Sequence, residues 1–270
     1  MTYYCQRTIM KGQLTMNKKM YIAVICAFSL LLTVSSGFLI KHYYDSHKQA
    51  ETYDNLAEIV DKTPDDTSEA MNYSGEKTFI PEYQELYLEN NDMVGWLKIE
   101  DTKINYPVMQ SKDNPNFYLK HGFDKKYTNY GCPYVQENCD TEQPSDNIVI
   151  YGHNMNDGSM LSGLTKFKDE NFWKAYKSIT FDTLTEHHTY EIISVFMTVA
   201  YSNSSDSFKY YHFVNAETPN DFSAYINKCK ELSLYDTGVT AEYGDKLITL
   251  STCEYSRNNG RLVVVAKRAD

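Results

Sequence analysis

The sequence predicts a mainly β fold with helices (α+β), organised as a closed or nearly closed β-barrel that carries helical inserts. Three observations predict it. Short apolar runs recur from Val94 to Val265, several of them bounded by Gly, Pro or Asn, which is the pattern of short strands joined by turns. Aromatic residues make up 14% of the 270, and 24 of them are Tyr, a composition suited to pleated, half-buried surfaces. Only a few segments carry helical spacing, so many short strands with few helices must close on one another, and closure removes unpaired strand edges.

The elements follow in chain order. Met20 to Ile40 is an uncharged, mostly apolar run, about long enough to cross a bilayer as a helix. Arg7, Lys11, Lys18 and Lys19 are the only charges before Lys41, so the positive-inside rule keeps the N-terminus in the cytoplasm and exports the remainder. A cleaved signal peptide is the alternative; the apolar run exceeds a usual signal core and lacks an Ala-x-Ala exit. Residues 1–19 are thus expected to be cytoplasmic and 20–40 a single-pass signal anchor. Met16-Asn17-Lys18-Lys19 would also make an ordinary start for such a segment. Lys41 to Thr78 is polar and charged and reads as a stalk, helical from Ser46 to Val60 and then loose. Beyond residue 40, 22 Lys and Arg face 36 Asp and Glu. An exported part of net charge near −14 argues against nucleic acid or other anionic polymers as partners.

Phe79 to Asn91 has helical spacing through Tyr83, Leu86 and Tyr87, and Asp92-Met93-Val94-Gly95 ends it. Trp96 to Ile99 and Ile104 to Val108 read as strands, and Asn147 to Tyr151 as a buried strand leading into Gly152-His153-Asn154. Amphipathic helices are expected around Gly163–Phe167 and Asp169–Tyr176, then strands at Ser178–Phe181 and Thr189–Ala200. Tyr201 to Gly244 is a long insertion with a helix from Pro219 to Leu232, its Phe222, Tyr225, Ile226 and Cys229 at helical spacing. Last comes a hairpin: a strand from Ile248 to Cys253, the turn signal Asn258-Asn259-Gly260, and a strand opening at Arg261. The six cysteines show no CxxC metal spacing, and no acidic loop of the EF-hand type occurs. Neither metal nor cofactor is implied. Cys132 and Cys139 could form a local bridge, but the outer cysteines are too few for a disulfide framework.

The chemistry concentrates at the hairpin. Its geometry makes Cys253 and Arg261 neighbours, and a thiol beside a fixed cation is a candidate nucleophile. His153 also follows a strand and a glycine, so its ring could share the same cleft. Each residue has a blander reading: a lone Cys is usually a small buried hydrophobe, and a lone His or Arg usually a surface or hydrogen-bonding group. His121, His187, His188 and His212 lie in polar contexts and read as solvated.

Thr249-Leu250-Ser251-Thr252-Cys253, Arg261 heading its Arg-Leu-Val-Val-Val-Ala strand, and Tyr151-Gly152-His153-Asn154 upstream resemble the signature of sortases, the cysteine transpeptidases of Gram-positive cell surfaces. Val94-Gly95-Trp96-Leu97 and Ile104-Asn105-Tyr106-Pro107-Val108 add to the match, which runs from Phe79 to Arg268. The class B branch is the most similar: it too has helices before the barrel and a helix in the long segment before the Cys strand. The resemblance implies a sortase-type barrel of about eight strands, with residues 79–270 as the catalytic domain. It implies Cys253 as the nucleophile toward a Thr carbonyl of a C-terminal sorting signal, His153 as general acid and base, and Arg261 as clamp for the substrate carbonyl or oxyanion. The implied partners are surface proteins bearing that signal and an amine of peptidoglycan. Ser251, Tyr151 and Glu254 resemble substrate-cleft residues of the class, with Asn114 a further candidate. Tyr225 and Ile226 on the insertion helix could wall the cleft or only cover the barrel, and Ser202 to Tyr211 could supply the other wall. Two other readings remain: an exported cysteine peptidase without transfer, and a non-enzymatic anchored adhesion barrel.

Overall fold

The structure is a computed structural model that describes residues 17–62, 72–74, 77–202 and 205–269. It divides into two compact units, Met1–Lys48 and Gln49–Asp270. Helix α1, Lys18–Lys62, runs through both. Neither Pro nor a second Gly interrupts residues 38–62, so the expected apolar span and the expected stalk helix fall in one helix. The first unit holds a stretch long and apolar enough to cross a membrane, and every described side chain from Asn17 to Ile40 is exposed. Residues 1–16 of the expected cytoplasmic segment and 63–71 of the expected stalk lie outside the described residues.

In the second unit the final turns of α1 are not a solvated stalk. Tyr53 and Leu56 are buried in the core, and Ala57, Ile59 and Val60 pack against it. These residues recur at helical spacing and make an apolar stripe. The polarity of the surrounding residues hides that stripe in the sequence, so the compact unit begins well before the Phe79 boundary expected from composition.

An antiparallel strand pair, β1 (Asn72–Ser74) and β2 (Lys77–Thr78), precedes α2 (Pro81–Glu89). Pro81 opens α2, where the missing N–H is harmless. The barrel strands are β3 (Met93–Lys98), β4 (Asn105–Met109), β5 (Tyr134–Val135), β6 (Asn147–Tyr151), β7 (Ser178–Thr183), β8 (Thr189–Val199), β9 (Leu247–Cys253) and β10 (Gly260–Arg268). They close in the order β10-β8-β7-β3-β4-β5-β6-β9. β4–β5 and β6–β9 are parallel, the other pairs antiparallel. A 3-10 helix (Leu161–Lys168) and α3 (Glu170–Ala175) fill the β6–β7 connection, and α4 (Pro219–Leu232) the β8–β9 connection. The eight-stranded closed barrel with helices expected from the sequence is present. β5, only two residues long, is too short to show a period of two and is not legible beforehand.

Why β10 reads as an unbroken apolar run is clear from its two faces. Leu262, Val264 and Ala266 point into the barrel core, while Val263 and Val265 belong to a second cluster with Phe222, Tyr225, Ile226 and Cys229 of α4. A strand covered on both sides loses the polar half of its alternation. Thr218 caps α4 through a reciprocal box with Asp221. Cys132 and Cys139 are free and buried; their thiols donate to Pro107 O and Asn147 O instead of pairing.

Candidate active site

The site grows from the outer face of β9. Alternate side chains share a face, so Leu247, Thr249, Ser251 and Cys253 point the same way. Leu247 sits in the cluster with α4. Thr249 contacts the Tyr225 hydroxyl at 3.1 Å, and Ser251 the Tyr210 hydroxyl at 2.7 Å. Cys253, next along this face, is half-buried and opens onto a cavity of about 710 Å³.

Hairpin register places Arg261 directly opposite Cys253. Asn259 takes the left-handed conformation at the turn, φ 54°, which Asn tolerates better than most side chains. β6 lies on the other side of β9 and pairs Tyr151 with Ser251, so the chain leaving β6 carries His153 to the same cavity. His153, Cys253, Arg261, Tyr151 and Ser251 all line it, with Tyr134, Gln136 and Tyr210. Asn154 ties the two strand ends together: its side chain donates to Cys253 O at 2.8 Å, and its carbonyl accepts from Tyr255 at 2.7 Å.

The cavity wall carries one fixed cation, Arg261, and one carboxylate, Glu137. One N–H of Arg261 donates to Gly260 O at 2.9 Å, and among the described residues no carboxylate forms an ion pair with it. A guanidinium has five donors, so most of this fork is available to a ligand oxygen. His153 Nε2 lies 2.8 Å from Leu119 O. A carbonyl only accepts, so Nε2 carries the hydrogen and Nδ1 is the nitrogen left to exchange a proton. Burial lowers the His153 pKa, against the pull of the Leu119 contact, with Lys120 adding to the lowering. Burial pushes the Tyr210 phenol up to about 12, opposed by its Ser251 bond and the Arg261 charge. The phenols of the cavity therefore stay protonated and serve as hydrogen-bond groups.

Four expected cleft residues stand elsewhere. Glu254 follows Cys253 and so points to the opposite face. It is buried and paired with Lys168 at 2.6 Å, and the bonds from Lys168 and Ser256 hold its carboxyl down at about 2. Asn114 is exposed outside the cavity; Asn116, two residues on, lines it and accepts from the Tyr134 hydroxyl at 2.8 Å. Tyr225 and Ile226 are sealed in the cluster under α4. α4 thus covers the barrel rather than walling the cleft, while Tyr210 and Tyr211 from the preceding segment supply that wall. His188, which reads as solvated, is buried and lies 3.3 Å from Glu186. His212 is exposed but lines the cavity. Tyr134, Gln136 and Leu119 are lining residues that the sequence did not single out, because no motif marks a two-residue strand or a backbone carbonyl.

An eight-stranded mixed barrel with Cys, His and Arg on neighbouring strand ends defines the architecture of a sortase. The Sortase domain family profile matches residues 97–269. Sortase B of Listeria monocytogenes is 32% identical over 243 residues, covering 88% of this chain and 95% of that protein. Sortase B of Staphylococcus aureus is 25% identical over 255 residues, covering 93% and 98%. Among solved structures, a Staphylococcus aureus sortase B–substrate complex superposes with TM-score 0.72 at 26% identity, covering 84% of this chain and 99% of that one. Bacillus anthracis sortase B in complex with AAEK1 gives 0.70 at 30%, covering 84% and 98%. The chain belongs to the sortase family of transpeptidases, in its class B branch.

Proposed function

We propose that this protein is a membrane-anchored cysteine transpeptidase that fixes surface proteins to peptidoglycan. The observation that carries the reading is the convergence of Cys253, His153 and Arg261 on one cavity. The Cys253 thiolate attacks the carbonyl carbon of a Thr in a C-terminal sorting signal. The Arg261 guanidinium faces the oxygen on which negative charge develops, where a charge-assisted bond strengthens most. The C–N bond to the next residue breaks, and His153, as imidazolium, gives its Nδ1 proton to the departing amine. A thioester remains on Cys253. An amine of the peptidoglycan then attacks it, His153 takes a proton from that amine, and the amide product leaves as the thiolate reforms. The segment 20–40 anchors the chain once in the membrane, with the N-terminus cytoplasmic and the barrel outside. Its apolar, exposed helix supports this reading.

The test is a panel of pentapeptides ending in Thr-Gly or Thr-Asn, offered with and without a glycine amine. Amide should replace acid as product when the amine is added; acid alone under both conditions would favour a peptidase. Cys253→Ala should abolish both products, and near-normal turnover would remove Cys253 as nucleophile. Arg261→Lys keeps the charge but loses the planar fork, and should cut kcat by about 10²–10³-fold with the fold intact. Unchanged turnover would take Arg261 out of the mechanism.

A further inference from the structure

Helix α1 reaches the active site through a short relay of backbone contacts. Tyr53 is buried, and its hydroxyl donates to Gly131 O at 2.7 Å. Its ring is held by an edge contact with Tyr106, centroids 5.2 Å apart. Gly131 takes φ +61°, and a Cβ built on it would stand 2.5 Å from Tyr118 O and 2.8 Å from Leu119 O. The α-carbon of residue 131 is therefore pressed against the two peptide carbonyls that precede Lys120. Cys132 N donates to Tyr118 O at 2.9 Å and fastens the same strands of the loop. Leu119 O, the second of those carbonyls, is the acceptor for His153 Nε2.

We propose that Tyr53 and Gly131 are positioning residues for His153: the last turns of α1 hold the 118–132 loop so that the Leu119 carbonyl fixes the imidazole with Nδ1 free toward the cavity. The inference rests on His153 as the proton carrier. Neither residue reaches the cavity lining, so each acts on catalysis only through the loop. Gly131 is suited to this place on two counts. Any side chain would be strained at its positive φ, and a methyl would drive the Leu119 carbonyl off the ring. A shift of that carbonyl on the order of 1 Å releases the ring, and misplacement of that size costs about 10²-fold in rate.

The test uses the full-length chain in detergent micelles, with Tyr53→Phe as the mild variant and Gly131→Ala as the severe one. Three quantities are read: kcat and KM for the sorting peptide, the acid limb of the kcat/KM profile, and the ¹⁵N shifts of the His153 ring. Tyr53→Phe keeps the ring and its Tyr106 contact and should lower kcat about threefold to tenfold with KM little changed. Gly131→Ala should lower it about 10²-fold. In both, the His153 signals should move from a single Nε2–H tautomer toward a mixture, and the acid limb should shift to lower pH because a bond that favours the protonated ring is weakened. Should both variants keep the wild-type tautomer and acid limb, and lose activity only with the folded fraction, the positioning role is wrong. His153→Ala separates the two ideas. Retained activity there defeats His153 as proton carrier, while the ¹⁵N tautomer reports on the loop whether or not His153 carries the proton.

Discussion

Cys253 and Arg261 owe their proximity to register, and His153 owes its place to the parallel pairing of β6 with β9. In the proposed mechanism the imidazole is the group whose environment most limits the chemistry. Burial lowers its pKa, so at pH 7 its protonated fraction is below the roughly one quarter of an exposed histidine with pKa about 6.5. The thiolate–imidazolium pair is then a minority form. Its kcat/KM profile should rise with pH and level off at the His153 pKa, giving an acid limb centred below about 6.5. A limb above that value would contradict the buried ring. Stability carries the same sign. The folded chain holds this proton less tightly than the unfolded one, so the contribution of neutral His153 is fully present above the unfolded pKa. It is lost as pH falls through about 6.5 toward the folded pKa. Urea midpoints of wild type and His153→Gln should therefore converge on acidification from pH 7.5 to 5.5. A constant gap would show that His153 is not the titrating group.

Among the elements, α4 shows how much a sequence pattern can carry and where it stops. Its bounds, Pro219–Leu232, and its apolar face were legible because the 3.6-residue period is a local signal. What that face covers was not legible, because covering depends on strands that arrive far along the chain. The structure packs Ile226 against the outer faces of β8 and β10, in the cluster of Phe196, Val263 and Val265. Ile226→Val should therefore lower stability by about 0.5–1.5 kcal/mol and leave KM for the sorting peptide unchanged. A raised KM with unchanged stability would return this helix to the cleft. The hairpin behaves differently. Cys253 and Arg261 could be paired from sequence because a turn signal sets register over a few residues. Glu254 was misplaced by the resemblance, although strand alternation already turns it away from Cys253 and toward Lys168.

At the scale of the whole molecule, the question is where the folded catalytic unit begins. Composition suggested Phe79, since residues 41–78 are polar; the compact unit instead starts at Gln49. The difference comes from two side chains, because Tyr53 and Leu56 are 3% and 6% exposed while their neighbours on α1 are mostly exposed. Removing them strips apolar cover from the barrel core and takes the Tyr53 hydroxyl from Gly131 O. Loss of a buried Leu side chain costs about 2–5 kcal/mol and of a large aromatic about 3–5, a large part of the 5–15 kcal/mol typical of a domain. A chain begun at Gln49 should therefore be soluble, fold cooperatively and cleave peptide at the full-length rate. A chain begun at residue 63 should melt many degrees lower and lose most of its turnover. Equal melting temperatures and turnover for the two would show that the last turns of α1 are a stalk after all.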